Sequence, residues 1–470
     1  MREEEPISIH NEPARARRVL VVSHSYLPSE TSAALQTISL VRKLPEAGWT
    51  PTVLTVGARW QYLPTNKDTP GPDVEVIRTA LWRPFSALER FVQALGISGA
   101  GTRTRKPDRE TEGDRSPGPS RRNPASLLSG TVRSIYWSMR PTDSNFLFPL
   151  FALFRGLSVA RRNRPLAVYS IGKSFSSLVA GHLLAKLLRL PHVVEFHDPW
   201  TLSPSYGGKG VAAWCERRLE AWTVAGARAV VAKTKAETAL LKRGHPDAKA
   251  EFFTVPCGFD ETNLPEPTAV GQPRSATDRI CRVVHTGSLS ERRSPVAFLN
   301  AAGALLKKCP DLRGRLKFIF AGRAGTFEGL SLSGWCERLG LAAELDDRGW
   351  TGRRELLELM KDADVFLLIP DYPGQIPAKL YEYLWFDRPV LVLDAPGSES
   401  AGLVNRLGRG LLAPRNEPGA IADALRTLIE TALDGPSHRV GADGLSPYSA
   451  KGRAGALADI LSAVSLAVYS

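Results

Sequence analysis

Two doubly wound α/β domains facing a central cleft are the fold this sequence predicts, and three observations predict it. Short apolar runs of buried parallel-strand character open each half, Arg18-Val19-Leu20-Val21-Val22-Ser23 and Arg282-Val283-Val284-His285-Thr286. In the first half that run is followed by a loop, a helical pattern and a second strand, which is the order of a βαβ unit. Between the halves the composition shifts to Glu261-Thr262-Asn263-Leu264-Pro265-Glu266-Pro267 and Gly271-Gln272-Pro273-Arg274-Ser275, the character of an interdomain linker.

In chain order, residues 1–16 read as a disordered polar tail. The first strand begins at Arg18, and a loop with Pro28 leads to a helix over 32–44 that ends before Pro45 and Gly48. Pro51 to Val56 is the next strand. Residues 97–125 collapse into Gly, Pro, Ser, Arg and Asp and cannot build a core, so they read as a disordered insertion. Alternation resumes with strands at 166–170, 192–196 and 229–232 and helices at about 176–188 and 212–225. These elements make an N-terminal domain over 17–262, joined by a linker over 263–279. The C-terminal domain, 280–436, carries strands at 282–286, 317–321, 345–350, 365–369 and 390–393. Residues 437–470 supply a C-terminal helix expected to pack back towards the N-terminal domain.

With 470 residues, 43% of them hydrophobic, the chain is globular and long enough for separate cores. No apolar run reaches the roughly 20 residues needed to span a bilayer. Five scattered cysteines without metal-pair spacing read as reduced thiols of a cytoplasmic protein, with no metal site. The net charge of +13 suits anionic ligands or an anionic surface. Nucleic acid is set aside because no helix-turn-helix, zinc-finger or aromatic RNA-binding pattern is present.

The segment carrying most chemistry is Ile376-Pro377-Ala378-Lys379-Leu380-Tyr381-Glu382-Tyr383-Leu384. A buried strand runs into a loop with Pro370, Pro373, Gly374 and Pro377, and a helix opens near Ala378. Its first-turn amides, over Gln375 to Lys379, and the positive end of its dipole suit a phosphate. One turn on, the Glu382 carboxylate is placed to accept hydrogen bonds from two ribose hydroxyls. Together these read as a nucleotide-diphosphate site; the alternative is an ordinary α/β helix with a solvated glutamate.

The motifs resemble those of GT-B glycosyltransferases, in particular the large retaining group called family 4, or glycosyl transferases group 1. The matching segments are His285-Thr286-Gly287-Ser288-Leu289, Phe320-Ala321-Gly322, Gly349-Trp350-Thr351, Ala363-Asp364-Val365-Phe366 and the block from Lys379 to Val390. The first half agrees at Pro28, at Glu195-Phe196-His197-Asp198-Pro199-Trp200 and at Val255-Pro256-Cys257-Gly258-Phe259-Asp260. The resemblance implies two Rossmann-like domains and a nucleotide sugar as donor substrate, with no separate cofactor. Glu382 would hold the ribose, and Gly287, Arg293, Lys379, Gln375 and Ala378 the diphosphate. His197 and Asp198 would serve catalysis at the sugar and acceptor, and Ser29, Thr31 and Ser32 the acceptor-side loop. Gly374 stands where the family's first glutamate falls, and Ser288 where an arginine is usual; Lys379 offers compensating charge.

The resemblance further implies a retaining, metal-independent transfer to an acceptor hydroxyl in cell-surface glycan, glycolipid or glycoside biosynthesis. A carbohydrate, a lipid-linked sugar or a small molecule fits as acceptor. The alternatives are a non-catalytic nucleotide-sugar or glycan-binding homologue, and a GT-B epimerase or hydrolase. The run Phe146 to Phe154, followed by Arg155, Arg161, Arg162 and Arg164, is either a helix buried on the sheet or peripheral contact with an anionic membrane on its inner face. Trp200 and Tyr206 either stack on a sugar or fill core space.

Overall fold

The computed structural model describes residues 17–61, 74–81, 143, 145–265, 280–434 and 444–466. The tail over 1–16, the insertion over 97–125, linker residues 266–279 and the ends 435–443 and 467–470 lie outside the described residues.

The first sheet has seven strands: β1 (Arg17–Val22), β2 (Trp49–Val56), β3 (Glu75–Thr79), β4 (Ala167–Gly172), β5 (His192–Phe196), β6 (Ala229–Ala232) and β7 (Glu251–Thr254). They lie in the order β3-β2-β1-β4-β5-β6-β7, paired in parallel. The second has six: β8 (Cys281–Thr286), β9 (Leu316–Ala321), β10 (Leu345–Gly349), β11 (Val365–Leu368), β12 (Val390–Leu393) and β13 (Gly410–Ala413). Their order is β10-β9-β8-β11-β12-β13, again parallel. Each sheet reverses its winding once, between β1 and β4 and between β8 and β11. Open α/β sheets bind ligands beyond the carboxyl ends of the strands at such a reversal.

The strands read as continuous apolar runs because helices cover both faces. Val19 and Val21 of β1 face one cluster with Leu457, Leu461 and Val464, whereas Leu20 and Val22 face another with Phe148, Ala152 and Leu184. The first of those helical faces belongs to the C-terminal helix (Ala450–Leu466), which packs on the N-terminal sheet and binds Trp49 Nε1 through Ser462 Oγ at 3.3 Å. In the second sheet Val365 and Leu367 point to a cluster with Phe298 and Leu425, while Phe366 and Leu368 point to Leu380, Tyr383 and Leu384.

Strands β3, β7 and β13, absent from the sequence expectations, all lie at or next to a sheet edge, and residues such as Glu75, Glu251 and Leu411 stay exposed. The Phe146–Phe154 run is a helix, α2 (Phe148–Asn163), after α1 (Ser32–Lys43). Phe148 and Ala152 are buried under it, but Leu150 and Phe154 are 51% and 70% exposed. No helix among the described residues is long and apolar enough to cross a membrane.

Candidate active site

At the reversal of the second sheet, β8 ends in the Thr286–Gly287 turn. Gly287 has φ +89, and a Cβ on Gly322 would lie 2.3 Å from the Gly287 carbonyl, so the ends of β8 and β9 meet backbone to backbone. The helix Ala378–Trp385 locks onto this turn. Its Tyr383 hydroxyl accepts from Thr286 N at 2.8 Å, bonds Thr286 Oγ1 at 2.9 Å, and the ring stacks on Phe366 at 4.1 Å. Pro377 gives that helix no side-chain cap, so no capping oxygen meets the amides of Ala378 and Lys379.

Lys379 reaches back over the turn. Its ammonium donates to the Thr286 carbonyl and to His285 Nε2, the latter at 3.2 Å. His285 Nδ1 lies 2.9 Å from the Leu367 carbonyl, which can only accept, so Nδ1 carries the proton and Nε2 is the acceptor. Burial, followed by the charge of Arg293, pulls the Lys379 pKa down to about 7. Burial and then Lys379 hold His285 well below the usual histidine range, so it is neutral. Arg293 Nε stands 3.6 Å from Asp371 Oδ1. Arg415 ties the rim together through the carbonyls of Leu393 and Arg292, each at 2.8 Å, and that of Pro370.

Two expected donor contacts are already engaged. Glu382 is held bidentately by Arg353, at 2.7 and 3.0 Å, rather than standing open to a ribose. The Gln375 amide donates to the Tyr372 carbonyl at 3.1 Å, closing a turn that a phosphate would have to break. Its side-chain Oε1 accepts from Asp371 N at 3.4 Å, within the same loop.

Across from these lies the end of β5. His197 is 4% exposed, with Nε2 3.6 Å from Glu195 Oε1. Burial, then Lys233, lowers its pKa to about 3, so the imidazole is neutral near pH 7. Glu195 takes the Tyr169 hydroxyl at 2.5 Å, and burial raises its pKa. Asp198 sits between Lys173 at 3.3 Å and Lys233 at 3.5 Å. Burial pushes its pKa up, but the two lysines outweigh that and hold it below the usual value. Ser29 Oγ and Thr31 Oγ1 are 3.2 Å apart, and Thr31 caps α1 by accepting from Ala34 N at 3.3 Å. Ser32 is the first residue of that helix. Trp200 is 1% exposed and stacked on Phe175 at 4.7 Å, which places it in the core and not on a sugar.

The two domains touch beside this site. Tyr372 donates to Glu237 Oε1 at 2.6 Å, Thr234 Oγ1 to the Gly374 carbonyl at 2.8 Å, and Ala236 N to Glu399 Oε1 at 2.6 Å. Glu237 belongs to the helix Lys235–Gly244, whose N-cap is Thr234. Sequence reasoning missed Lys233, Glu237, His285, Arg353 and Arg415. Only His285, inside the quoted His285-Thr286-Gly287 motif, and Lys233, one residue past a strand, carried a local signal.

Residues 281–431 match the model of the family described as glycosyl transferases group 1, and residues 111–263 that of glycosyltransferase family 4. No curated protein matches the sequence. Among solved structures, sucrose-phosphate synthase from Thermosynechococcus elongatus is similar, at 14% identity over 97% of each chain with a TM-score of 0.52. An α,α-trehalose-phosphate synthase (UDP-forming) from Burkholderia vietnamiensis aligns at 13% identity over 97% of this chain and 100% of that one, TM-score 0.56. A glycosyltransferase from Rickettsia africae gives 11% identity over 96% and 99%, TM-score 0.55. At these identities the likeness is one of fold.

Proposed function

The chain belongs to the GT-B glycosyltransferases of the group 1 and family 4 kind, and from that premise we propose that it moves a sugar from a nucleotide-diphosphate donor to an acceptor hydroxyl. The observation that carries the donor class is Lys379. A partly buried ammonium at the sheet reversal, bonded to a carbonyl and a neutral imidazole, is a cation in want of an anion. Arg293 adds a second positive charge, and the uncapped helix start adds oriented amides. A departing nucleoside diphosphate gains negative charge, and fixed cations stabilise it without a metal ion. His197 and Asp198 face the sugar and the acceptor from the other domain, which suits a retaining route in which the leaving phosphate receives the acceptor proton. Ser29, Thr31 and Ser32 shape the acceptor side through a capped helix start. A carbohydrate or lipid-linked acceptor in surface glycan or glycolipid synthesis fits this arrangement. Leu150 and Phe154, exposed on a helix that also carries Arg155, Arg161 and Arg162, support peripheral contact with an anionic bilayer.

The test is to incubate the protein with UDP- and GDP-linked sugars, with and without sugar and lipid-linked acceptors. Nucleotide released only when an acceptor is present, together with a glycosylated acceptor, is the expected result. An altered donor sugar would mark an epimerase, acceptor-independent release a hydrolase, and binding without turnover a non-catalytic homologue.

A further inference from the structure

We propose that His285 is a positioning residue for the donor diphosphate: it holds the Lys379 ammonium over the Gly287 turn, and the His285–Lys379 pair takes up a proton from solvent when the diphosphate binds. The proposal rests on the donor reading above and adds a proton to it.

The geometry carries the argument. Leu367 lies within β11 in the middle of the sheet, and its carbonyl fixes the Nδ1 proton of His285 at 2.9 Å. The opposite nitrogen is thereby an obligate acceptor, aimed at Lys379 Nζ 3.2 Å away. The second acceptor is the Thr286 carbonyl, on the adjacent residue of the same strand. Lys379 Nζ would lie only 3.1 Å from a Cβ placed on Gly287, so the ammonium rests directly against the turn. Both acceptors are neutral, and neither compensates a full positive charge. The carboxylates nearby are already engaged with arginines, Asp371 with Arg293 at 3.6 Å and Glu382 with Arg353 at 2.7 Å. The charge that does bear on Lys379 is Arg293, a cation. Arg293, although it also meets Asp371, still repels the proton on Lys379, and no carboxylate offsets it there.

The consequence has a definite sign. Burial and Arg293 leave the Lys379 pKa at about 7, so above that pH the free protein holds mostly the neutral amine. A diphosphate brings negative charge to Nζ and raises that value, so binding at pH 8 draws in a proton. Below pH 7 the proton is already present, and binding is proton-neutral. Affinity should thus be flat below pH 7 and fall above it, by up to about tenfold per pH unit.

The experiment is titration calorimetry of the full chain with UDP-glucose and GDP-mannose, whose phosphodiesters do not titrate near neutrality. Each is measured at pH 6 and pH 8 in two buffers of different ionisation enthalpy, which reports the protons exchanged. The expected result is uptake approaching one proton at pH 8 and none at pH 6. Lys379→Met should abolish the uptake and weaken binding. His285→Asn keeps an amide donor for the Leu367 carbonyl and removes the Nε2 acceptor; it should weaken binding and move the uptake midpoint to lower pH. A purely structural role for His285 would change melting temperature and leave that midpoint in place. Binding without proton uptake, or wild-type uptake in Lys379→Met, overturns the proposal and leaves the donor reading standing. Absence of binding by both nucleotide sugars at pH 6 overturns the donor reading, and the proposal with it. Should His285→Asn not fold, the comparison of wild type with Lys379→Met decides.

Discussion

On the N-terminal side of the site Asp198 faces two lysines at 3.3 and 3.5 Å, whereas on the C-terminal side Lys379 faces a carbonyl and an imidazole nitrogen. The first is a charge already balanced within its own domain. Lys233, buried beside Asp198 and near Glu237, keeps its proton firmly because those acids outweigh the cost of burial. The second is a charge left open. A site that must bind and release an anion needs the open kind, because a compensated cation has to break its ion pair first. The balanced network instead fixes geometry: a neutral His197 and a rigid Asp198 cost little to reorganise as the reacting sugar changes charge.

Removing His197 tests the contrast most severely. His197→Ala should fold, bind nucleotide as the wild type does, and lose turnover by about 10²–10³. The split follows from its place on the domain opposite the proposed nucleotide contacts, where it meets the sugar chiefly in the closed, reacting complex. Steady-state kinetics beside nucleotide titration measures both halves. Near-normal turnover would reduce His197 to a packed core histidine.

Glu382 blurs the contrast, since it is the one acid of the C-terminal side that the sequence assigned to the donor, and the structure gives it to Arg353. Two variants sharpen the matter. If the carboxylate leaves Arg353 to hold the ribose, Glu382→Ala should weaken nucleotide binding by about 1.5–3 kcal/mol, the worth of hydrogen bonds to a charged group. Arg353→Ala should leave affinity intact or improved, because it frees the same carboxylate. Equal losses in the two variants would show that the ion pair only braces the helix Ala378–Trp385.

What could be read from the sequence follows the same division. Strands such as Val390–Leu393 and helix starts such as Ala378 show themselves locally, as an apolar run and as a residue following Pro377. Edge strands such as Glu251–Thr254 lack the run because one side meets water. Lys379 and Arg293, the proposed anion contacts, lie in short motifs that the family resemblance exposes. The compensating partners do not: Arg353 is 29 residues from Glu382, and Tyr372 is 135 from Glu237. Nothing in a linear pattern says which arginine will close on which acid once the sheets are wound, so the pairing of Arg353 with Glu382 does not show in the sequence.

The smallest expected effect concerns the contact that joins the two sides. Tyr372, in the loop before the helix Ala378–Trp385, donates its hydroxyl to Glu237 Oε1 at 2.6 Å. Burial, followed by the charge and hydrogen bond of Glu237, raises the tyrosine pKa, so the hydroxyl keeps its proton throughout the neutral range. Glu237 is also raised by burial, and it lies within the field of Lys233, which in turn holds Asp198. Tyr372→Phe deletes the bond while keeping the ring, and a single such bond contributes about 0.5–1.5 kcal/mol. Since the bond spans the two domains and touches no proposed nucleotide contact, its loss should make the closed arrangement less populated. Turnover should then fall about two- to tenfold with nucleotide affinity unchanged. The measurement is kcat against nucleotide Kd for the single variant. A change confined to Kd would place Tyr372 with the open cations of the C-terminal side, and an unchanged kcat would show that closure is held by the Thr234 and Glu399 contacts alone.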